Sequence, residues 1–324
     1  MKEYIVRKIK YKRKDKYTYE YFDKRNNQID KSIALKSIGD LYIPPAYDDV
    51  KINLNQNEKV LAIGYDEKTR PQYIYNKRFT KINQTKKFQK MIEFGESYKK
   101  IMNNVKKDLY SEEDSKEKQI AMALLLVVDC GIRIGSEKYR DENDSFGATT
   151  LESRHIKIKG DVVSVDFIGK KGVQNKGKCR NKKLSRNLRK KRKTLSKNEP
   201  IFTYRRGNTW YSLKNTDVNI YLKRFGNFSS KNFRTWVANL SFIYEILKND
   251  IPNNEKEKNK NINESLQKTA HKLNNTPTVC KKNYIDPYLI NLYLKDTKRF
   301  FHSFRWTKGK DEISDNYIKL LKSK

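Results

Sequence analysis

"SKEKQIAMALLLVVDCGIRIGSEKY", Ser115 to Tyr139, is the stretch on which the fold turns. Through Val128 it is apolar on most faces, which predicts a buried helix rather than a surface one. Gly131 and Gly135 then loosen the chain around a single arginine, Arg133. A guanidinium in a core cannot be left unpaired. It either meets an acid, with Asp129 on the preceding turn as the nearest candidate, or it faces an anion.

Working outward toward the C-terminus, "HIKIKGDVVSVDFIGKKG" (His155 to Gly172) is two alternating runs joined by Gly160-Asp161, a hairpin signal. A third basic strand is expected in "NKGKCRNKKL". "LSRNLRKKRKTLSK" is a charge run that reads as a solvated helix face or a loop facing a polyanion. "SSKNFRTWVANLSFIYEILK" places Phe233, Trp236, Val237, Leu240, Ile243 and Leu247 at helical spacing. Ser229 and Ser230 are candidate caps, with Lys231 and Arg234 in the first turn. Cations are disfavoured there by ~1 kcal/mol or less each. A bound anion would reverse that; a surface arginine reaching to an acid is the plainer alternative. "NDIPNNEKEKNKNINES" is polar and low in complexity and reads as a flexible linker.

Toward the N-terminus the period changes. "QTKKFQKMIEFGESYKKIMNNVKKDLY" is helical, whereas the first ~80 residues read mostly as strands, from "MKEYIVRKIKYKRKDKY" and "YKRKDKYTYEYFDKRNN" to "KVLAIGYDEKTRPQYIYNKRF". The boundary is placed near Asn83. The expected fold class is therefore α+β: a small antiparallel β N-terminal domain over 1–83 and a mainly α-helical domain containing a β-hairpin over 84–324.

The 324 residues carry a formal net charge of +34. Such a charge self-repels unless a polyanion balances it, so nucleic acid is the leading partner. A membrane surface is the weaker reading, because no span approaches ~18 consecutive apolar residues and no signal pattern opens the chain. Three scattered cysteines (Cys130, Cys179, Cys280) fit a reducing, intracellular setting and not a zinc site. Three histidines leave little room for chemistry that needs a histidine cluster.

One further segment, "LNNTPTVCKKNYIDP" (Leu273 to Pro287), sets Tyr284 between paired lysines and Asp-Pro. Alone, Tyr284 is one tyrosine among 21, Lys170 one hairpin lysine, and Asn275 a turn-former. Taken in order, the segments resemble the small type IB DNA topoisomerases of poxviruses, related large DNA viruses and bacteria, over nearly the whole chain. "CGIRIGSEKYRDENDSFGATTLESRHI" is similar to that family's arginine block, "DFIGKKG" to its Phe-x-Gly-Lys hairpin, "KNFRTW" to its second-arginine helix, and "LNNTPTVCKKNYIDP" to its nucleophile segment. "IPPAYDDV" and "GYDEKTRPQYIYNKRF" match its N-terminal clamp.

The resemblance implies a nicking and resealing enzyme in which Tyr284 is the nucleophile and Arg133, Lys170, Arg234 and Asn275 complete the catalytic set. The position of Asn275, nine before the tyrosine, varies in the family between histidine and asparagine. Arg70, Gln72, Tyr73 and Tyr75 resemble the groove-reading residues, and Tyr139 a phosphate contact. Ser136 departs from the poxvirus members, which carry lysine there, so a shared pentamer preference does not follow. The implied partner is duplex DNA, engaged by a monomer without cofactor, metal or ATP. The implied place of action is intracellular DNA: a viral factory, a nucleoid or a nucleus, with virion packaging an open alternative. A tyrosine recombinase would use the same nucleophile and arginines, but usually has histidine where Lys231 stands and a helical N-terminal module. A basic nucleic-acid-binding protein without activity is the remaining reading.

Overall fold

The computed structural model describes residues 3–14, 16–305, 307 and 309–323. Met1, Lys2 and Asp15 of the first expected strand lie outside them. The chain packs as two compact units, Met1–Phe88 and Gln89–Lys324.

The first unit is an antiparallel sheet. Its strands are β1 (Tyr4–Arg13), β2 (Lys16–Phe22), β3 (Gln28–Ile29), β4 (Asp48–Asn53), β5 (Val60–Tyr65) and β6 (Pro71–Tyr75), in the order β3-β2-β1-β4-β5-β6. The period-2 alternation puts Ile5, Tyr21, Val50, Ile52 and Ala62 in one core. Gly64 is required there, since an added Cβ would come within 2.7 Å of Val50 Cγ2. Helix α1 (Lys31–Ile38), not expected from the sequence, contributes Ala34 and Ile38 to that core. Asp30 caps it by accepting from the Ser32 N–H at 2.7 Å. The segment around Pro44 and Pro45 is pinned by Arg7, which donates to the carbonyls of Pro44 (2.9 Å) and Tyr47 (2.8 Å).

Helix α2 (Lys77–Tyr110) begins earlier than the change of period suggests, because Asn76 accepts from the Arg78 N–H at 2.8 Å and starts it. The helix runs through both the expected boundary at Asn83 and the packing boundary at Phe88.

The second unit is mainly helical. Helix α3 (Lys116–Asp129) is buried from Lys118 through Val128. Short helix α4 (Glu137–Asn143) follows the glycine segment. Strands β7 (Ile156–Lys159), β8 (Val162–Ile168) and β9 (Gln174–Arg180) form the expected hairpin and third strand, with Gly160 at φ 56° in the turn. The charge run is helix α5 (Lys182–Arg192), anchored by buried Leu184 and Leu188. A second hairpin, β10 (Thr203–Arg206) and β11 (Thr209–Ser212), precedes α6 (Asn215–Lys223) and α7 (Ser230–Ile246). Phe233, Trp236, Val237, Leu240 and Ile243 of α7 are buried as their spacing predicts. Gly95 lets α2 pass Trp236, whose ring an added Cβ would meet at 2.4 Å.

The expected linker is instead α8 (Glu255–Lys272). Asn254 caps it, accepting from the Glu257 N–H at 2.9 Å, and Glu255 and Glu257 sit at its positive end. Ile262, Leu266 and Ala270 recur every four residues and form its buried stripe. Asn-Lys composition masked that period. Helices α9 (Pro277–Asn283), α10 (Pro287–Lys295), α11 (Thr297–Ser303) and α12 (Lys310–Lys322) complete the unit. Among the described residues, no helix is long and apolar enough to cross a membrane.

Candidate active site

The site begins where α3 ends. Gly131 has φ +66°, and a Cβ there would lie 2.0 Å from the carbonyl oxygen of Lys272. Only glycine lets this segment cross the end of α8. Gly177 on β9 also packs too closely for a side chain, with an added Cβ 2.6 Å from the Cys130 carbonyl oxygen. On the other side, the carbonyls of Arg133 and Ile134 accept from the Ala148 (2.8 Å) and Thr149 (2.7 Å) N–H groups. Arg133 is therefore held by its backbone before its side chain makes any contact.

That side chain, half-buried, donates from Nη2 to Asn275 Oδ1 at 2.8 Å. Asn275 in turn donates from Nδ2 to the Leu273 carbonyl at 3.2 Å. The turn carrying it is set by Asn274 at φ 50° and by the Asn275 N–H donating to the Ala270 carbonyl at 3.0 Å. Asn274 Oδ1 accepts from the Lys176 N–H at 3.0 Å, which ties β9 to this turn.

Arg234 is not the surface arginine that its sequence neighbours suggest. It is 5% exposed, and it lies a turn inside α7 rather than at the helix end. Its Nη1 donates to the Gly131 carbonyl and its Nη2 to the Leu273 carbonyl at 2.9 Å. Both partners are neutral, so its charge is not cancelled. The guanidinium carbon lies 5.3 Å from the centroid of the Tyr284 ring.

Tyr284 follows the last turn of α9, which Thr276 caps and Pro277 opens. Its N–H donates to the Cys280 carbonyl at 2.9 Å. Its carbonyl accepts from Asn239 Nδ2 at 2.9 Å, while Asn239 Oδ1 accepts from the Asp286 N–H at 2.8 Å. Asn239 is fully buried on α7, so one side chain fixes the Tyr284 segment to the helix that carries Arg234. Burial pushes the Tyr284 phenol up. The charge and hydrogen bonding of Arg234, and then of Arg133, more than offset that, and Tyr284 titrates below the ordinary tyrosine value.

The structure thus brings Arg133, Arg234, Asn275 and Tyr284 together. Lys170 is apart from them: it is exposed in the turn between β8 and β9, with no hydrogen-bond or ion-pair partner for its side chain among the described residues. The hairpin that carries it is nevertheless rooted at the site on both strands. The Phe146 N–H donates to the Ile168 carbonyl at 2.9 Å, and Lys176 is bound to Asn274 as above.

In the first unit, Tyr73 and Tyr75 are half-exposed on one face of β6, their rings stacked at 6.1 Å. Gln72 alternates to the opposite face beside Ile74. Arg70 and Gln72 share one acceptor, Asp66. Its Oδ2 takes Arg70 Nε at 2.9 Å and Nη2 at 2.6 Å, and Gln72 Nε2 at 3.0 Å. Tyr139 is exposed on α4, which Ser136 begins without a side-chain cap bond.

Sequence reasoning missed Asn239, Gly131's contact with α8, and Asp66. For Asn239 a signal existed: an asparagine inside "WVANLSF" has to find buried hydrogen-bond partners.

Residues 76–302 match the family model described as eukaryotic DNA topoisomerase I, catalytic core. Residues 18–66 match that of the bacterial DNA topoisomerase IB N-terminal domain. The chain is 31% identical over 319 residues to DNA topoisomerase 1B of Acanthamoeba polyphaga mimivirus, covering 95% of this chain and 92% of the relative. It is 25% identical over 273 residues to DNA topoisomerase 1B of Vaccinia virus (strain Copenhagen), covering 81% and 83%.

Proposed function

Because this chain belongs to the type IB DNA topoisomerase family, we propose that Tyr284 is the nucleophile with which it opens one strand of duplex DNA. The observation that supports this most directly is a tyrosine beside two arginines that lower its phenol, Arg234 held by backbone carbonyls 5.3 Å from its ring and Arg133 held by Asn275. A free phenol near pKa ~10 is ionised about once in 10³ at pH 7, a cost of roughly 4 kcal/mol. The cationic pocket reduces that cost.

Tyr284 Oη attacks the phosphorus. The bond to the 5′-oxygen breaks, leaving a 3′-phosphotyrosyl linkage and a free 5′-hydroxyl strand. Arg133 and Arg234 stabilise the charge growing on the non-bridging oxygens, for which guanidinium geometry is suited. Asn275 Nδ2 adds a neutral donor once it leaves the Leu273 carbonyl. Lys170 delivers the proton to the departing 5′-oxygen. Its exposed position on a rooted hairpin fits a group that docks when DNA fills the site. The free strand swivels, supercoils relax, and attack by the 5′-hydroxyl reverses the step. The covalent linkage conserves the energy of the cut bond, so resealing draws on neither ATP nor a metal.

The enzyme acts as a monomer at intracellular DNA. Arg70, Gln72, Tyr73 and Tyr75 engage the duplex from the first unit, and Tyr139 a phosphate from the second. The test is trapping on nicked or suicide duplexes under denaturing conditions, in EDTA and without ATP. A covalent protein–DNA band with a free 5′-hydroxyl is expected, together with relaxation of positive and negative supercoils. An absolute need for Mg²⁺ would overturn this reading.

A further inference from the structure

Asp66 organises the turn between β5 and β6. Its Oδ1 accepts from the Lys68 (3.0 Å) and Arg70 (3.1 Å) N–H groups, which lets Thr69 adopt φ 55°. Its Oδ2 takes the Arg70 guanidinium and the Gln72 amide. The hydrogen bond from Arg70 holds the carboxyl down at about 2. Asp66 is then an ionised, acceptor-only group at any working pH. That settles which way the Gln72 amide points, because a carboxylate has no hydrogen to give: Nε2 faces Asp66 and Oε1 faces away. Oε1 has no hydrogen-bond partner among the described residues.

We propose that Asp66 is the positioning residue for DNA sequence recognition: it fixes Gln72 with its carbonyl outward and so selects a base that presents an exocyclic amine, adenine or cytosine, where Gln72 reaches the major groove. Guanine and thymine present carbonyl oxygens at that edge and are repelled by another. The inference rests on Gln72 being a groove-reading residue.

The test is cleavage of a duplex library randomised around the scissile phosphate, with the covalent adducts recovered and sequenced. Wild type favours an amine-bearing base at one position, by about tenfold. In Asp66→Asn the turn keeps its Oδ1 acceptor, while Nδ2 replaces Oδ2, releases the Arg70 guanidinium and draws Gln72 Oε1 inward. The amide flips, and the preference at that position swings to guanine or thymine. Gln72→Glu is repelled by Asp66 and loses the preference, and Asp66→Asn/Gln72→Glu regains it. A purely structural role for Asp66 produces neither the inversion nor the rescue. Should Gln72→Ala alter no position, the groove-reading role of Gln72 fails and the inference falls with it. Should Gln72→Ala erase a preference that Asp66→Asn leaves in place, Gln72 still reads the base but Asp66 does not position it.

Discussion

Arg234 and Arg70 each donate two or more hydrogen bonds, and their partners differ in kind. Arg234 is buried against two backbone carbonyls, Gly131 and Leu273, and keeps its charge. Arg70 is part-exposed against a carboxylate, Asp66, which offsets its charge and shares itself with Gln72. A cation aimed by neutral dipoles is available to a developing negative charge. A cation paired with an acid is oriented but electrostatically muted. The first arrangement suits rate, and the second suits recognition.

The largest effect that could break this contrast is at Tyr284. Tyr284→Phe should bind duplex normally and form no covalent adduct, since phenylalanine has no oxygen to attack with. A variant that still relaxes supercoils would remove the reason for the pocket. Next comes Lys170→Ala, expected to slow single-turnover cleavage by roughly 10²–10⁴-fold with little change in affinity. A duplex with sulfur in place of the bridging 5′-oxygen should restore it, because a thiolate leaves with little proton donation. Arg133→Ala and Arg234→Ala should stay slow on that substrate. Lack of rescue would return Lys170 to the role of a phosphate contact.

Arg133→Ala also has a pH signature. Arg133 helps hold the Tyr284 phenol below its ordinary value. The reactive form is the phenolate, so cleavage rises with pH on the acid side of the phenol's pKa. Removing Arg133 should move that rise to higher pH; an unmoved profile in stopped cleavage assays would separate the two residues. Asn275→Ala should cost less than either arginine, ~10²-fold. Because Asn275 Oδ1 orients Arg133, the double variant should lose less than the product of the single losses. The smallest effect is Arg70→Ala. Affinity should fall a few-fold and the salt slope by less than the ~0.9 of a full phosphate contact, with the cleavage rate at saturating DNA unchanged. A loss of rate there would mean that Arg70 is not confined to recognition.

The sequence displayed the parts of this machine better than their joints. Arg133, Lys170, Arg234, Asn275 and Tyr284 stand in recognisable segments, and the Gly160-Asp161 turn and the α7 stripe have local periods that survive folding. The joints are contacts with backbone carbonyls or between distant chain ends, such as Arg234 on Leu273 and Gly131 on Lys272. No residue type marks a carbonyl as an acceptor for a particular arginine. Helix α8 was hidden differently: its apolar stripe is three residues diluted by Asn and Lys. The Gln72 amide donates to Asp66, six residues away, and no pattern of strand alternation announces that contact.

The anchoring of Arg234 also bears on how such a chain can decay by descent. Substituting that arginine would strip the buried Gly131 carbonyl of its donor, at about 1–3 kcal/mol, leave the Leu273 carbonyl with Asn275 alone, and loosen the junction of α3 with α8. Tyr284 is half-buried, and its backbone bonds to Cys280 and Asn239 do not use its ring. A duplicated copy released from selection for cleavage but kept for binding DNA should therefore lose its tyrosine early and keep its arginine, a silent enzyme still carrying an intact cationic socket.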